Sequence, residues 1–65
     1  MTATITIRSN GKRHLARVVT ETGDLIGQAI HDDAEVAARR AIRQARNWSA
    51  DRGWAELTIK REARP

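Results

Sequence analysis

The sequence predicts one small α+β domain in which three strands, one long helix and a fourth strand follow one another along the chain. Three observations predict this class. Stretches near both ends alternate apolar and polar residues, glycine-containing turns separate the stretches of the first half, and alanines at helical spacing occupy the second half. A right-handed crossover through the helix returns the last strand parallel to the first. We therefore expect a four-stranded mixed sheet in the order 3-2-1-4, with the helix packed on one face.

The first two strands are predicted to form a hairpin. Apolar and polar residues alternate over residues 3–8, which is the period of a half-buried strand. Asn10 and Gly11 follow, and this dipeptide favours a tight hairpin turn because both residues accept a positive φ. The second strand is then expected over residues 14–20, antiparallel to the first.

A second glycine-containing turn, at residues 21–24, precedes the third strand, which we expect over residues 25–30. A two-residue turn within this segment places His14 opposite His31. The same register leaves Gly27 beneath the helix, where the missing side chain permits another backbone to approach closely.

The helix is predicted over residues 33–52, with Asp32 as its N-cap, Glu35 in its first turn and Gly53 just past its C-terminus. One face is almost entirely alanine, so we expect the helix to lie close to the sheet, with Trp48 filling one end. This face consists of Ala34, Ala37, Ala38, Ala41, Ala45 and Trp48, with Ile42 at its edge.

The fourth strand is predicted over residues 54–61, where apolar and polar residues alternate again. The single domain then covers residues 1–61, and residues 62–65 are expected to be a frayed tail. A chain of 65 residues has room for only one domain of this size.

The register decides which side chains remain exposed on the face of the sheet without the helix. If Arg8 lies opposite Arg13, Ile5 pairs with Ala16 on the helix side, and several apolar residues point away from it. A slip of one residue would instead bury Leu15 and Val19 together with Arg17, and would turn Ala16 and Val18 outward. Because uncovered apolar surface is typical of a contact site, we expect a protein interface here, shared by two copies in a homodimer. The expected interface residues are Leu15, Val19, Ile26, Gln28 and Ile30.

The chain has 12 Lys and Arg against 8 Asp and Glu, which gives a net charge of +4 and a pI near 11.1. Clustered cations favour nucleic acid because binding releases condensed counterions. A GC-rich coding sequence also produces many Arg and Ala residues, and charged residues are ordinary on a solvated helix face. The expected nucleic-acid-binding residues are Arg8, Lys12, Arg13 and Arg17 near the first hairpin, and Arg39, Arg40, Arg43 and Arg46 on the helix. Trp54 is a further candidate, for stacking on a base.

The residue types give little support to catalysis, and we expect no catalytic residues, no cofactor and no small-molecule substrate. There is no Cys, and two His cannot complete a tetrahedral zinc site. Ser9 and Ser49 have no predicted His partner, and the acidic residues 32–35 fit helix capping. Because no long apolar segment is present, we expect a cytoplasmic protein that does not enter a membrane.

The order of three strands, a helix and a strand, with Asp-Asp-Ala-Glu-Val-Ala-Ala at 32–38 opening the helix, resembles the partial RNase H-like domain of HicB-type antitoxins. The resemblance covers residues 5–59 and implies an antitoxin-like or phage-type regulator. RNase H-like nucleases carry acidic residues on the first and fourth strands, where this chain has Ile5 and Leu57, so the resemblance implies no nuclease activity.

The same arrangement also resembles the arm-binding domains of some integrases, which bind DNA with the sheet. By this resemblance Thr6, Arg17 and Gln28 would face the DNA. Two hypotheses follow from the sequence. The first is a non-enzymatic module that binds the backbone of DNA or RNA, and the second is a protein-interaction module that uses the uncovered face of the sheet.

Overall fold

One helix crosses one face of a four-stranded sheet in the structure, a computed structural model that describes residues 1–53 and 56–61. The elements are β1 (Thr2–Asn10), β2 (Arg13–Thr20), β3 (Leu25–His31), α1 (Ala34–Asp51) and β4 (Thr58–Arg61). The sheet order is β3-β2-β1-β4, with β4 parallel to β1 and the other neighbours antiparallel. The predicted α+β class, strand order and parallel last strand are confirmed.

The fourth strand is shorter than predicted, because it begins at Thr58. Residues 54 and 55 of the predicted strand, and with them the candidate stacking residue Trp54, lie outside the described residues. The predicted tail at residues 62–65 also lies outside them. Within the described part of the chain, no helix is long and apolar enough to cross a membrane.

The core lies between the alanine face of α1 and one face of the sheet. Its members are Ala3, Ile5, Ala16, Val18, Ile26, Ala37, Ala38, Ala41 and Ala45. Gly27 lies directly under the helix as predicted: a Cβ at this position would collide with the carbonyl oxygen of Ala41 and lie 3.1 Å from the amide nitrogen of Ala45. Small residues on both layers therefore set the distance between helix and sheet.

The helix begins one residue later than predicted, and its N-cap is Asp33 rather than Asp32. The Asp33 carboxylate accepts a hydrogen bond from the Glu35 amide at 2.9 Å. The Asp33 amide in turn donates to Nδ1 of His31 at 2.9 Å, which holds the turn between β3 and α1 in place. Because the imidazole binds this amide, Asp33 takes the non-helical backbone position that a capping residue needs.

At its other end α1 stops at Asp51, one residue earlier than predicted, and Gly53 follows the C-cap residue Arg52 at the predicted place. Gly53 has a φ of 72°, a left-handed conformation that glycine adopts without a steric penalty. The Arg52 guanidinium lies 4.0 Å from the centre of the Trp48 ring. Trp48 is half-buried and packs against the core, in agreement with its predicted position at one end.

The first hairpin has a different register from the predicted one. Asn10 lies opposite Arg13, so Gly11 and Lys12 form the loop, and Arg8 faces Leu15 instead of Arg13. Gly11 is the loop residue with a positive φ, as in a turn that needs glycine at its first central position. The pairing is shifted by two residues, an even number, so each side chain keeps its predicted face of the sheet.

The second hairpin departs from the prediction more seriously, because its turn contains four residues instead of two. The Thr20 amide donates to the carbonyl of Asp24 at 2.8 Å, and the Thr20 hydroxyl accepts from the Asp24 amide at 3.1 Å. The amide of Gly23 closes the turn on the Thr20 carbonyl at 2.9 Å. These bonds fix the chain so that β3 begins at Leu25.

A β-bulge in β3 follows from this turn. His14 lies opposite His31 and Val18 opposite Gly27, as predicted, but the next pair joins Val19 to Leu25 and leaves Ile26 as an extra residue. Ile26 was expected on the uncovered face and is instead in the core, where it is 5% exposed. Its predicted role as an interface residue is wrong, because the bulge turns its side chain towards the helix.

The outer edge of β3 is met by α1. The backbone amide of Gln28 donates a hydrogen bond to Oε1 of Gln44 at 3.1 Å. A helix side chain therefore occupies a donor that an edge strand presents outward.

Candidate nucleic-acid interface

The face of the sheet away from α1 carries cationic, polar and apolar side chains, and we call it the open face. Alternation along the strands places every second residue on it. Three cross-strand rows form the open face: Arg8, Leu15 and Ile30; then Thr6, Arg17 and Gln28; then Lys60, Thr4, Val19 and Leu25. Arg13 extends it towards the hairpin tip, where it pairs with Asn10.

Positive charge dominates the open face. The described strands contain Arg8, Arg13, Arg17, Lys60 and Arg61 but no Asp or Glu. All of these cations except Arg61 lie on the open face, and they are exposed. An anion that approached this surface would therefore meet no opposing carboxylate from the strands.

Arg17 occupies the centre of the open face. It lies in the middle row, between Thr6 on β1 and Gln28 on β3, and its side chain is exposed. Side chains in directly opposed positions lie about 5 Å apart at Cβ. The row thus places a guanidinium, a hydroxyl and an amide within reach of one ligand.

Three of the four cations predicted near the first hairpin share this face. These are Arg8, Arg13 and Arg17, whereas Lys12 lies in the two-residue loop at the tip. Lys60 was missed by the sequence reasoning. Alternation in the last strand already placed it opposite to Ile59, but only the parallel register shows that it lies beside Thr4.

The predicted arginines of α1 form a second cationic surface. Arg39, Arg40 and Arg43 are exposed and, with Val36, line an open hollow of about 230 Å³. We call these four residues the helix stripe. Among residues 1–53 and 56–61, the ion pair found joins Arg61 to Glu35 at 3.3 Å, so the helix stripe has no described carboxylate partner.

Arg46, the fourth predicted helix arginine, has a different environment. Its Nη1 donates a long hydrogen bond of 3.5 Å to the carbonyl of Leu57, in the segment that leads into β4. Arg46 therefore lies at the margin of the helix stripe and contacts the chain itself.

The predicted apolar interface is present on the open face in altered form. Leu15 and Val19 are half-buried there, and Gln28 and Ile30 are exposed. Leu25 replaces Ile26, with 46% of its surface exposed. Leu25 was not predicted on this face, because no residue pattern in the turn indicates a β-bulge.

The two histidines are cross-strand partners as predicted, and each ring already has a local hydrogen bond. His14 Nδ1 lies 2.8 Å from the Ser9 hydroxyl, and His31 Nδ1 accepts from the Asp33 amide. Ser9 thus has a His neighbour that the predicted register had excluded, because the two-residue shift brings these residues opposite one another. No group of three or more His, Cys, Asp or Glu residues in the described ranges is arranged to hold a metal ion.

No family model matches the chain, and comparison with curated proteins and with solved structures gives no match either. The resemblances to HicB-type and integrase arm-binding domains therefore stay predictions.

Proposed function

We propose that this domain binds double-helical nucleic acid through its phosphate backbone, using the open face of the sheet. One observation carries the proposal: the open face has Arg8, Arg13, Arg17 and Lys60 and no carboxylate from the described strands. Surfaces of this kind gain affinity for polyanions by displacing condensed counterions.

The side chains of the open face suit phosphate chemistry. Guanidinium groups bind phosphate oxygens in a bidentate manner, and hydroxyl groups such as that of Thr6 donate single hydrogen bonds to them. In the middle row, Arg17 and Gln28 also have donor patterns that match the major-groove edges of guanine and adenine. We infer that backbone contacts supply most of the affinity and that this row supplies any preference among bases.

A duplex fits the open face better than a single strand does. Proteins that bind single strands stack the bases on aromatic side chains, and the described strands contain none. The major groove, about 12 Å wide, admits a two-stranded ribbon, and the β1–β2 hairpin is such a ribbon with Arg8, Arg13 and Arg17 on its open face.

The test is a fluorescence anisotropy titration of a labelled DNA duplex at about 50 and 200 mM salt. With about four phosphate contacts, affinity should fall on the order of 100-fold over this range. Arg17→Gln should weaken binding and reduce the slope of log K against log salt by about 0.9. A single-stranded RNA of equal charge should bind more weakly, since the described strands offer no aromatic side chain for stacking.

Arg61→Gln is the matched control, because it removes one strand cation from the side of the sheet that faces α1. This variant should bind like the unaltered protein. Equal slopes for Arg17→Gln and Arg61→Gln would show that only net charge matters and would refute the open face as the binding surface. Absence of binding at low salt would refute nucleic-acid binding altogether.

An acidic protein partner is the second candidate function, and the exposed Leu25 and Ile30 favour it. They are 46% and 54% exposed and lie at the two ends of the same edge strand. The predicted homodimer through this face meets an electrostatic obstacle. A twofold axis through the centre of the open face would bring Arg17 near its own copy, and like charges in contact are repulsive.

Sedimentation equilibrium of the protein alone tests the homodimer. We expect a monomer at low and high salt. A salt-resistant dimer that Leu25→Glu dissociates would contradict this expectation and would assign the open face to self-association. Leu25→Glu, unlike a change of the buried Ile26, should leave the fold intact.

A further inference from the structure

We propose that the domain bridges two double-helical nucleic-acid segments, one on the open face and one on the helix stripe. This inference rests on the proposed function and adds a second contact surface to it. The consequence is that a single chain joins two duplexes without first forming a dimer.

The open face and the helix stripe point in opposite directions. α1 buries Ala37, Ala41 and Ala45 against the sheet, so the opposite side of the helix points away from it. That opposite side carries the helix stripe. The open face points in the reverse direction, because it is the face of the sheet that α1 does not cover. The two cationic surfaces are therefore on opposite sides of a two-layer domain.

The helix stripe has a spacing of arginines that suits a phosphate backbone. Arg39, Arg40 and Arg43 surround Val36, whose short side chain leaves the open hollow of about 230 Å³ between the guanidinium groups. Arg39 and Arg43 are one turn apart, about 6 Å along the helix axis. A single DNA strand carries one phosphate per about 3.4 Å of its axis, so the stripe spans roughly two phosphates.

In the part of the chain that the structure describes, no carboxylate is paired with the arginines of the helix stripe. A helix arginine can pair with a carboxylate one turn away, as in i, i+4 pairs. Glu35 lies one turn before Arg39, at the i, i+4 spacing. Within the described residues, however, the carboxylate of Glu35 pairs with Arg61 on β4. The guanidinium groups of the helix stripe stay available to an external anion.

A single duplex cannot be the ligand of both surfaces at once. The smallest dimension of the Cα trace is 15 Å. To contact opposite sides of so thin a domain, a duplex would have to reverse direction within a few nanometres. The persistence length of DNA is about 50 nm, which makes such a bend prohibitively costly. Simultaneous occupation therefore requires two segments.

The experiment uses one duplex immobilised on beads and a second, fluorescently labelled duplex of unrelated sequence. The full chain is added at low salt, and the label retained on the beads measures bridging. Two double variants remove the same charge from different surfaces: R39Q/R43Q from the helix stripe and R8Q/R17Q from the open face. Glutamine is a good helix former, so R39Q/R43Q should fold normally, which circular dichroism checks.

We expect R39Q/R43Q to reduce bridging on the order of tenfold while anisotropy still detects binding to a single duplex. R8Q/R17Q should reduce both signals. Bridging that persists at full strength in R39Q/R43Q would overturn the inference, since the second duplex would then be held elsewhere, for instance by a second copy of the chain.

The outcomes also separate this inference from the proposed function. Binding of a single duplex without any bridging by the unaltered protein overturns the inference and leaves the proposed function standing. If the unaltered protein binds no duplex in either assay, both the inference and the proposed function are overturned. If R39Q/R43Q abolishes binding of a single duplex and R8Q/R17Q does not, the binding surface is the helix stripe. This outcome likewise refutes bridging.

Discussion

The two faces of the sheet are built from the same strands and have opposite chemistry. On the covered face, Ala3, Ile5, Ala16 and Val18 are almost completely buried and none is charged. Their immediate neighbours along each strand form the open face, where exposed cations such as Arg8 and Arg17 lie among polar residues and the apolar Leu15 and Val19. On the covered face, the volume of the side chains decides which residues fit against the helix. On the open face, the distinguishing property is the charge of the side chains. Substitutions on the covered face should therefore change stability, and substitutions on the open face should change binding.

The largest effect is expected on the covered face at Gly27. Gly27→Ala places a Cβ against the backbone oxygen of Ala41, which cannot rotate away, so helix and sheet must separate. We expect a loss of more than about 3 kcal/mol in the free energy of unfolding, measured by urea denaturation. Gly11→Ala is the control: nothing lies near its Cβ, so only the positive φ is strained, at about 1 kcal/mol.

The second prediction compares the two neighbours at the bulge. Ile26→Ala should lower the free energy of unfolding by about 2 kcal/mol, because it removes a buried side chain. Leu25→Ala should change it by less than about 0.5 kcal/mol, because that side chain lies on the open face. The opposite ranking in thermal and urea unfolding would mean that the two residues have exchanged faces.

The third prediction concerns the N-terminus of α1, the helix that covers one face of the sheet. Asp33→Ala should cost about 1 kcal/mol, because the Glu35 amide loses its acceptor at the helix N-terminus. Asp32→Ala should cost only a few tenths of that, since Asp32 is exposed and does not cap the helix. Equal losses in urea denaturation would argue against Asp33 as the sole cap.

The smallest effect on stability is expected on the open face. Arg17→Gln should alter the free energy of unfolding by less than about 0.5 kcal/mol, because the side chain is exposed. Arg61→Gln should do the same, since its ion pair with Glu35 is solvent-exposed, with 51% and 68% of the two side chains accessible. A large loss in the free energy of unfolding for Arg17→Gln would show that the open face contributes to stability. It would contradict the difference that we expect between the two faces.

Much of the architecture followed from local pattern. Alternation, helical spacing and the right-handed crossover were sufficient for the strand order and for the placement of Gly27 beneath the alanines. These features were predictable because each depends on residues close in sequence or on a general rule of chain connection. The faces of β1 and β2 were also predicted, since an error of two residues in pairing leaves them unchanged.

The parts that escaped prediction depend on side chains that bond backbone across a turn. The Thr20 hydroxyl closes a four-residue turn, which produces the bulge and exchanges Leu25 for Ile26 on the open face. The His31 ring shifts the N-cap from Asp32 to Asp33. For the candidate site, Arg8, Arg13 and Arg17 were identified by sequence, but Lys60 was not, because the register of a parallel pair depends on how the helix returns the chain.

The hydrogen bond between the Gln28 amide and Gln44 has a consequence for crowded conditions. A polyanion concentrates bound copies of a basic domain along its length, and exposed strand edges in close proximity invite intermolecular strand addition and aggregation. On β3 the helix side chain occupies an outward amide, and the bulge at Ile26 distorts the same edge. At the β3 edge, these two features oppose intermolecular strand addition where the local concentration would be highest.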